Sequence, residues 1–211
     1  TRSLFGILNT QNGRIETKAE IDRSIYFGEG IAFLNGKVFQ LTYKNKIGFI
    51  YDATTFRQCG KFAIPSAEGW GLTTDGQYLI MSDGSNVLTY LDSSSLKVVK
   101  LLRVTENGYA KDQLNELEYI QGSIYANIWP GTTIVKINPA DGAVTGVLDL
   151  SALEAEAKRL HAASQEMNGP VRAHCGVPPG AGSGAVVEME PAITSKRVRS
   201  IRSVTSTLSA G

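Results

Sequence analysis

The sequence predicts an all-β protein of the propeller type, and three observations carry that expectation. Three stretches open alike, at Glu29-Gly-Ile-Ala-Phe33, Glu68-Gly-Trp-Gly-Leu72 and Asn115-Glu-Leu-Glu-Tyr119. Each runs through a Gly-containing turn into short apolar strands. The pattern recurs at a period of roughly 40 to 50 residues, the signature of four-stranded units that bury their faces only against one another. In such a ring the first strand of every unit lines the central channel, so equivalent residues of different units converge at its mouth.

The elements follow in order. Leu4–Leu8, the turn Asn9-Thr-Gln-Asn-Gly13 and Arg14–Lys18 match the second half of a blade, so the chain is expected to begin mid-blade. After the openings, Asn35-Gly36, Asp75-Gly76 and Gln121-Gly122 suit tight hairpins into second strands at 38–43, 78–82 and 123–129. Third strands are expected at 47–51, 87–91 and 133–137. The turns at Asp52-Ala-Thr, Asp92-Ser-Ser and Asn138-Pro-Ala-Asp-Gly142 then reverse the chain into fourth strands at 60–64, 98–102 and 144–148. Residues 153–160, rich in Ala, Glu, Lys and Leu, predict a short helix between blades.

Met167-Asn-Gly169 resembles a fourth opening, after which Pro170, Pro178, Pro179 and Gly180-Ala-Gly-Ser-Gly-Ala185 interrupt strand alternation. The expected organisation is therefore a partial propeller over 1–169, with half a blade, three full blades and the start of another. A disordered or aberrant tail is expected over 170–211.

Composition narrows the function classes. A formal net charge of +1 gives no global attraction for nucleic acid or anionic membrane, and the basic run Lys196-Arg-Val-Arg199 lies in the tail. Two cysteines, Cys59 and Cys175, and two histidines, His161 and His174, are too few and scattered for a zinc site of the usual spacings. Both cysteines are read as unpaired, and no metal or cofactor is expected. No stretch is long and apolar enough to span a bilayer. The first residues lack the charged and apolar regions of a signal peptide, although without an initiator Met such a segment could simply be missing.

The segments Phe27-Gly-Glu-Gly30, Gln40-Leu-Thr-Tyr43, Glu68-Gly-Trp-Gly-Leu-Thr73, Ser82-Asp-Gly-Ser85, Leu114-Asn-Glu-Leu-Glu-Tyr-Ile120 and Tyr125-Ala-Asn-Ile-Trp129 resemble the plant and bacterial type of glutaminyl-peptide cyclotransferase, in order and spacing. The likeness covers about residues 4–169. It implies a five-bladed propeller that converts the N-terminal glutamine of peptides or proteins to pyroglutamate, with release of ammonia and without a metal. It also implies a monomer, secreted or in the endomembrane or vacuolar system.

On this resemblance Glu29 is the catalytic proton shuttle, and Asn115 the amide that hydrogen-bonds the carboxamide or its oxyanion. Trp70, Trp129, Tyr43 and Phe27 fall where the family lines its substrate pocket, although propeller aromatics also pack between blades and Phe27 reads equally as core. Glu68, Glu116 and Glu118 rank below Glu29 and Asn115, as residues that hold the pocket walls. The family's last-blade lysine has no counterpart here, and Lys44, Lys46 and Lys136 are not substitutes.

Two other classes compete. In a calcium-dependent propeller lactonase or hydrolase, Glu29, Asn115 and Asn168 would chelate the metal. In a scaffold propeller the same residues would bind without chemistry. Because the ring is expected to be incomplete, weak or absent activity is expected of this chain.

Overall fold

The computed structural model describes residues 3–9, 11–160, 172–174 and 185–189. Among the described residues there are four four-stranded antiparallel sheets, one two-stranded hairpin and one short helix. Strands β1 (Leu4–Leu8) and β2 (Ile15–Glu20) open the chain. The next sheet runs in chain order through β3 (Gly28–Leu34), β4 (Lys37–Thr42), β5 (Ile47–Asp52) and β6 (Gln58–Ala63). It is followed by β7 (Leu72–Thr74), β8 (Tyr78–Met81), β9 (Val87–Asp92) and β10 (Val98–Arg103). The hairpin β11 (Thr105–Glu106) and β12 (Tyr109–Ala110) precedes β13 (Leu114–Ile120), β14 (Ser123–Ile128), β15 (Thr133–Ile137) and β16 (Val144–Asp149). Helix α1 covers Ser151–Leu160.

Side-chain alternation explains why the sheets stack. Successive residues of a strand point to opposite faces. On β8, Leu79 and Met81 join one core with Phe39, Leu41 and Phe62 of the preceding sheet. Ile80, between them, joins a second core with Leu114, Leu117, Ile124 and Val135 of the following one. On β4 the same division sends Val38 to a third core with Phe5 and Ile21. Each middle sheet is thus covered on both faces. Burial fades outward: β3 is buried along almost its whole length, whereas most of β10 and β16 faces solvent.

One turn is built four times between third and fourth strands. The first residue's N–H donates to the carbonyl of the sixth and its carbonyl accepts from the N–H of the fifth, as for Asn9/Arg14/Gly13, Asp52/Arg57/Phe56, Asp92/Lys97/Leu96 and Asn138/Ala143/Gly142. The fifth residue is left-handed, at φ 68°, 57°, 56° and 80° respectively. Glycine takes that conformation freely and other residues at a cost of about 1 kcal/mol. Phe56 and Leu96 nevertheless occupy it, because their side chains pack against Phe5 and against the core formed by the β3–β6 and β7–β10 sheets.

Most strands lie within two residues of expectation, and three features differ. The second opening, expected as strand from Glu68, joins its ladder only at Leu72. The β11–β12 hairpin turns at Asn107-Gly108, both left-handed (φ 53° and 84°), a two-residue hairpin signal that the sequence carries and the expectation omitted. Within the span 170–211, expected to be disordered, the described residues form β17 (Arg172–His174) and β18 (Ala185–Met189), which complete the first sheet in the order β17-β18-β1-β2. The run Ala185-Val-Val-Glu-Met189 has the β-branched content of a strand, and Leu4 to Leu8 present an edge that it pairs in antiparallel register, Leu4 opposite Met189 and Leu8 opposite Ala185. The rest of that span, and Met167-Asn-Gly169, lie outside the described residues.

Candidate functional site

The three repeated openings meet through their backbones. The N–H of Gly30 donates to the carbonyl of Trp70 in the next sheet at 2.7 Å. A Cβ on Gly30 would overlap the backbone of Trp70, Gly71 and Leu72, and one on Gly71 would overlap that of Asn115, Glu116 and Leu117. Gly30, Gly71 and Glu116 therefore hold equivalent positions, as do Glu29, Trp70 and Asn115 one residue earlier. Ile31, Leu72 and Leu117, one residue later, are all fully buried.

The first strands break their own ladders to reach one another, and their freed N–H groups find other acceptors. The registers slip between Gly28 and Ile31 and between Leu114 and Leu117. The N–H of Gly71 donates to Ser82 Oγ at 2.8 Å, and the Ser82 hydroxyl donates onward to the Asn115 carbonyl at 2.6 Å. The N–H of Glu116 donates to Asn127 Oδ1 at 2.7 Å. Ser82 and Asn127 thus do the same task on neighbouring sheets. Both lie in the motifs that carried the resemblance, but neither was singled out from the sequence.

Glu29 is a buried carboxylate, 9% exposed, at the start of β3, and Glu116 is equally buried. The aromatic residues form a second, more open group. Phe27 and Tyr43 stand edge to face at 6.3 Å between ring centroids, tied by the Tyr43 N–H donating to the Phe27 carbonyl at 2.9 Å. Trp70 and Trp129 stand edge to face at 6.0 Å, and Trp129 is 43% exposed. Backbone hydrogen bonds from Gln113 to Gly84 (2.8 Å) and from Trp129 to Gln113 (3.0 Å) hold the second ring near the first. Gly84, left-handed at φ 83°, leaves room for the Trp70 indole, against which a Cβ there would collide at 2.7 Å.

Glu68 links the two aromatic pairs. Its Oε2 accepts from Trp70 Nε1 at 2.9 Å, and its Oε1 lies 3.4 Å from Lys44 Nζ. The Lys44 ammonium sits 4.6 Å from the Tyr43 ring centroid. The indole hydrogen bond, and then Lys44, hold the Glu68 carboxyl below its ordinary value. Contacts with Tyr43 and then Glu68 raise the Lys44 ammonium above its ordinary value. Lys44, set aside on sequence, therefore stands at the rim of the aromatic group.

Among the described residues no group of three or more His, Cys, Asp or Glu side chains is placed to hold a metal ion. Asn168, one of the three residues a calcium reading requires, lies outside the described residues, as does Cys175. Cys59 is exposed and unpaired.

A sequence profile described as glutamine cyclotransferase matches residues 2–174. The glutaminyl-peptide cyclotransferase of Arabidopsis thaliana is 36% identical over 146 residues, which cover 69% of this chain and 45% of that protein. The chain thus spans about half the length of the curated relative it matches. The crystal structure of Myxococcus xanthus glutaminyl cyclase superposes with a TM-score of 0.63 at 30% identity, covering 82% of this chain and 76% of that one.

Proposed function

Because the chain belongs to the glutamine cyclotransferase family, we propose that its site serves glutaminyl-peptide cyclotransfer: N-terminal glutamine closes to pyroglutamate with release of ammonia. The four-stranded sheets are the blades of a propeller, five-bladed in the family likeness, whose first strands surround the site.

The observation that carries the proposal is the meeting of Glu29-Gly30, Trp70-Gly71 and Asn115-Glu116. It brings a carboxylate, an indole and an amide to adjoining equivalent positions, which suit proton transfer, a water-excluding wall and an oxyanion donor for the cyclisation. The substrate's neutral α-amine attacks its own γ-carbonyl carbon. A C–N bond forms, the carbonyl electrons move to oxygen, and a tetrahedral oxyanion results. Glu29 accepts a proton from the attacking nitrogen and returns it to the carboxamide nitrogen, which leaves as ammonia when the oxyanion collapses. Asn115 donates to the oxyanion. Trp70, Trp129, Tyr43 and Phe27 wall the pocket and exclude water, so that the glutamine side chain folds back onto its amine. No resident metal is called for.

The experiment is incubation of a glutaminyl peptide with the protein and with its Glu29→Gln variant, following ammonia. Turnover by the parent and a loss of about 10²- to 10⁴-fold in the variant is the expected result. Equal turnover in both removes Glu29 from the chemistry; because an incomplete ring is expected to turn over weakly, the same pair is also made in a chain of the relative's full length, and turnover in none of the four overturns the assigned activity.

A further inference from the structure

The chain has two tryptophans, and both are in this site, their rings 6.0 Å apart. What fixes the Trp70 indole is a single hydrogen bond from its Nε1 to Glu68 Oε2, two residues back in the chain. The rest of its seat is shape: Gly84 beneath one edge and the Trp129 ring at right angles. The same carboxylate holds Lys44 Nζ at 3.4 Å, and Lys44 in turn caps Tyr43. Glu68 is itself fixed from behind, its carbonyl accepting from the Ser66 hydroxyl at 2.6 Å. One carboxylate therefore sets the relative placement of two walls of the pocket.

We propose that Glu68 is the positioning residue of the aromatic pocket: it sets the tilt of Trp70 against Trp129 and, through Lys44, the place of Tyr43. It takes no part in proton transfer. The proposal rests on the assigned cyclotransfer where it concerns substrate, but its core claim concerns the free protein. A carboxylate fits the task better than a neutral acceptor because one oxygen accepts from the indole while the other balances the ammonium. As a carboxylate it is ionised at neutral pH, so both oxygens accept. Without the carboxylate the indole loses its polar anchor and the ring is free to rotate away from Trp129.

The test compares wild type with Glu68→Leu, which removes the acceptor, and Glu68→Gln, which keeps one. The near-ultraviolet circular dichroism of the two indoles is read on each, without substrate. In a Trp129→Phe background the emission of Trp70 alone is read as well. Glu68→Leu is expected to lose the dichroism of the indole pair and shift Trp70 emission to the red, while Glu68→Gln retains most of both.

With a glutaminyl peptide, Glu68→Leu is expected to raise KM about tenfold, the worth of one charge-assisted hydrogen bond, and to leave kcat within about threefold. Wild-type dichroism and emission in Glu68→Leu overturn the proposal. So does a fall in kcat alone, which would make Glu68 part of the chemistry. If Glu68→Leu does not fold, Glu68→Asp replaces it, since withdrawing the acceptor by one methylene breaks the same bond. Absence of turnover in wild type and in its full-length counterpart overturns the assigned activity instead, and the optical comparison still decides the role of Glu68.

Discussion

Gly30 and Trp70 are joined by a 2.7 Å hydrogen bond between the backbones of two neighbouring sheets, at a position of β3 where a side chain has no room. That contact sets Glu29, on β3, beside Trp70, two residues before β7, and Gly71 repeats the arrangement toward Asn115.

A methyl group at Gly30 therefore acts on the contact between sheets. The atoms it would strike are backbone atoms of Trp70, Gly71 and Leu72, which cannot move aside as a flexible side chain can. Gly30→Ala is expected to cost about 3 kcal/mol, the upper range for overpacking. Gly36→Ala meets nothing within 4 Å and pays only for its φ of 71°, about 1 kcal/mol. Urea denaturation of both variants checks the order, and an equal loss in the two would refute it.

Ligand binding is expected to be visible in tryptophan emission without any label. Both tryptophans lie in the proposed pocket. A glutaminyl peptide is expected to change emission saturably, whereas the same peptide beginning with alanine should not. Trp129→Phe and Trp70→Phe, titrated separately, should each retain part of the response. A saturable response of equal size to the alanine peptide would place recognition outside the glutamine side chain.

Acid stability should depend on the outer turns. Backbone N–H groups of Thr55 and Ser95, then the hydroxyls of the same residues, hold Asp52 and Asp92 below the ordinary carboxylate value of 3.8. A carboxyl whose folded pKa is depressed stabilises the fold above its unfolded pKa, and that contribution is lost as pH falls through the folded value. Stability is therefore expected to decline below about pH 4. Replacing both residues with Asn should flatten the decline between pH 4 and 2, measured by urea midpoints. A slope unchanged by the double substitution would assign the acid response to other groups.

Tyr90 governs the opposite limb. It is 4% exposed, its hydroxyl meets no hydrogen-bond partner among the described residues, and burial, with smaller effects from Asp75 and Tyr119, pushes its pKa up to about 12. A raised folded pKa stabilises fully below the unfolded value near 10, and this contribution is lost as pH rises through the folded value. Tyr90→Phe is expected to remove that loss between about pH 10 and 12. At neutral pH it should leave stability unchanged or raise it by up to about 1 kcal/mol, since a buried hydroxyl without a partner is a cost. Chemical denaturation at pH 7 and pH 11 measures both effects.

Much of the fold was legible because its signals are local. Asn35-Gly36 adopts the paired left-handed turn its residue types favour, Gln121-Gly122 adopts the same turn on the strength of its glycine, and Asp52 and Asp92 cap the reversals expected of them. The strand expected at 133–137 is β15 to the residue. That Glu29, Trp70 and Asn115 share one group was expected, but laying the openings side by side matches Glu29 with Glu68; the backbone contacts shift the second opening by two residues, so that Trp70 takes that place.

Other features depend on pairs distant in sequence. No local pattern says that Ser82 will bridge Gly71 and Asn115, that Gly84 must lack a side chain for Trp70 to seat, or that Lys44 will turn toward Glu68. The strand Ala185–Met189 escaped notice for the same reason: its partner is Leu4–Leu8, at the far end of the chain. By itself the sequence determined the repeating unit, its turns and the chemical types that face the site, because propensity and side-chain period act over a few residues. Only the tertiary structure decided which carboxylate anchors an indole and how the openings interlock, because hydrogen bonds and excluded volume act between atoms that folding alone brings together.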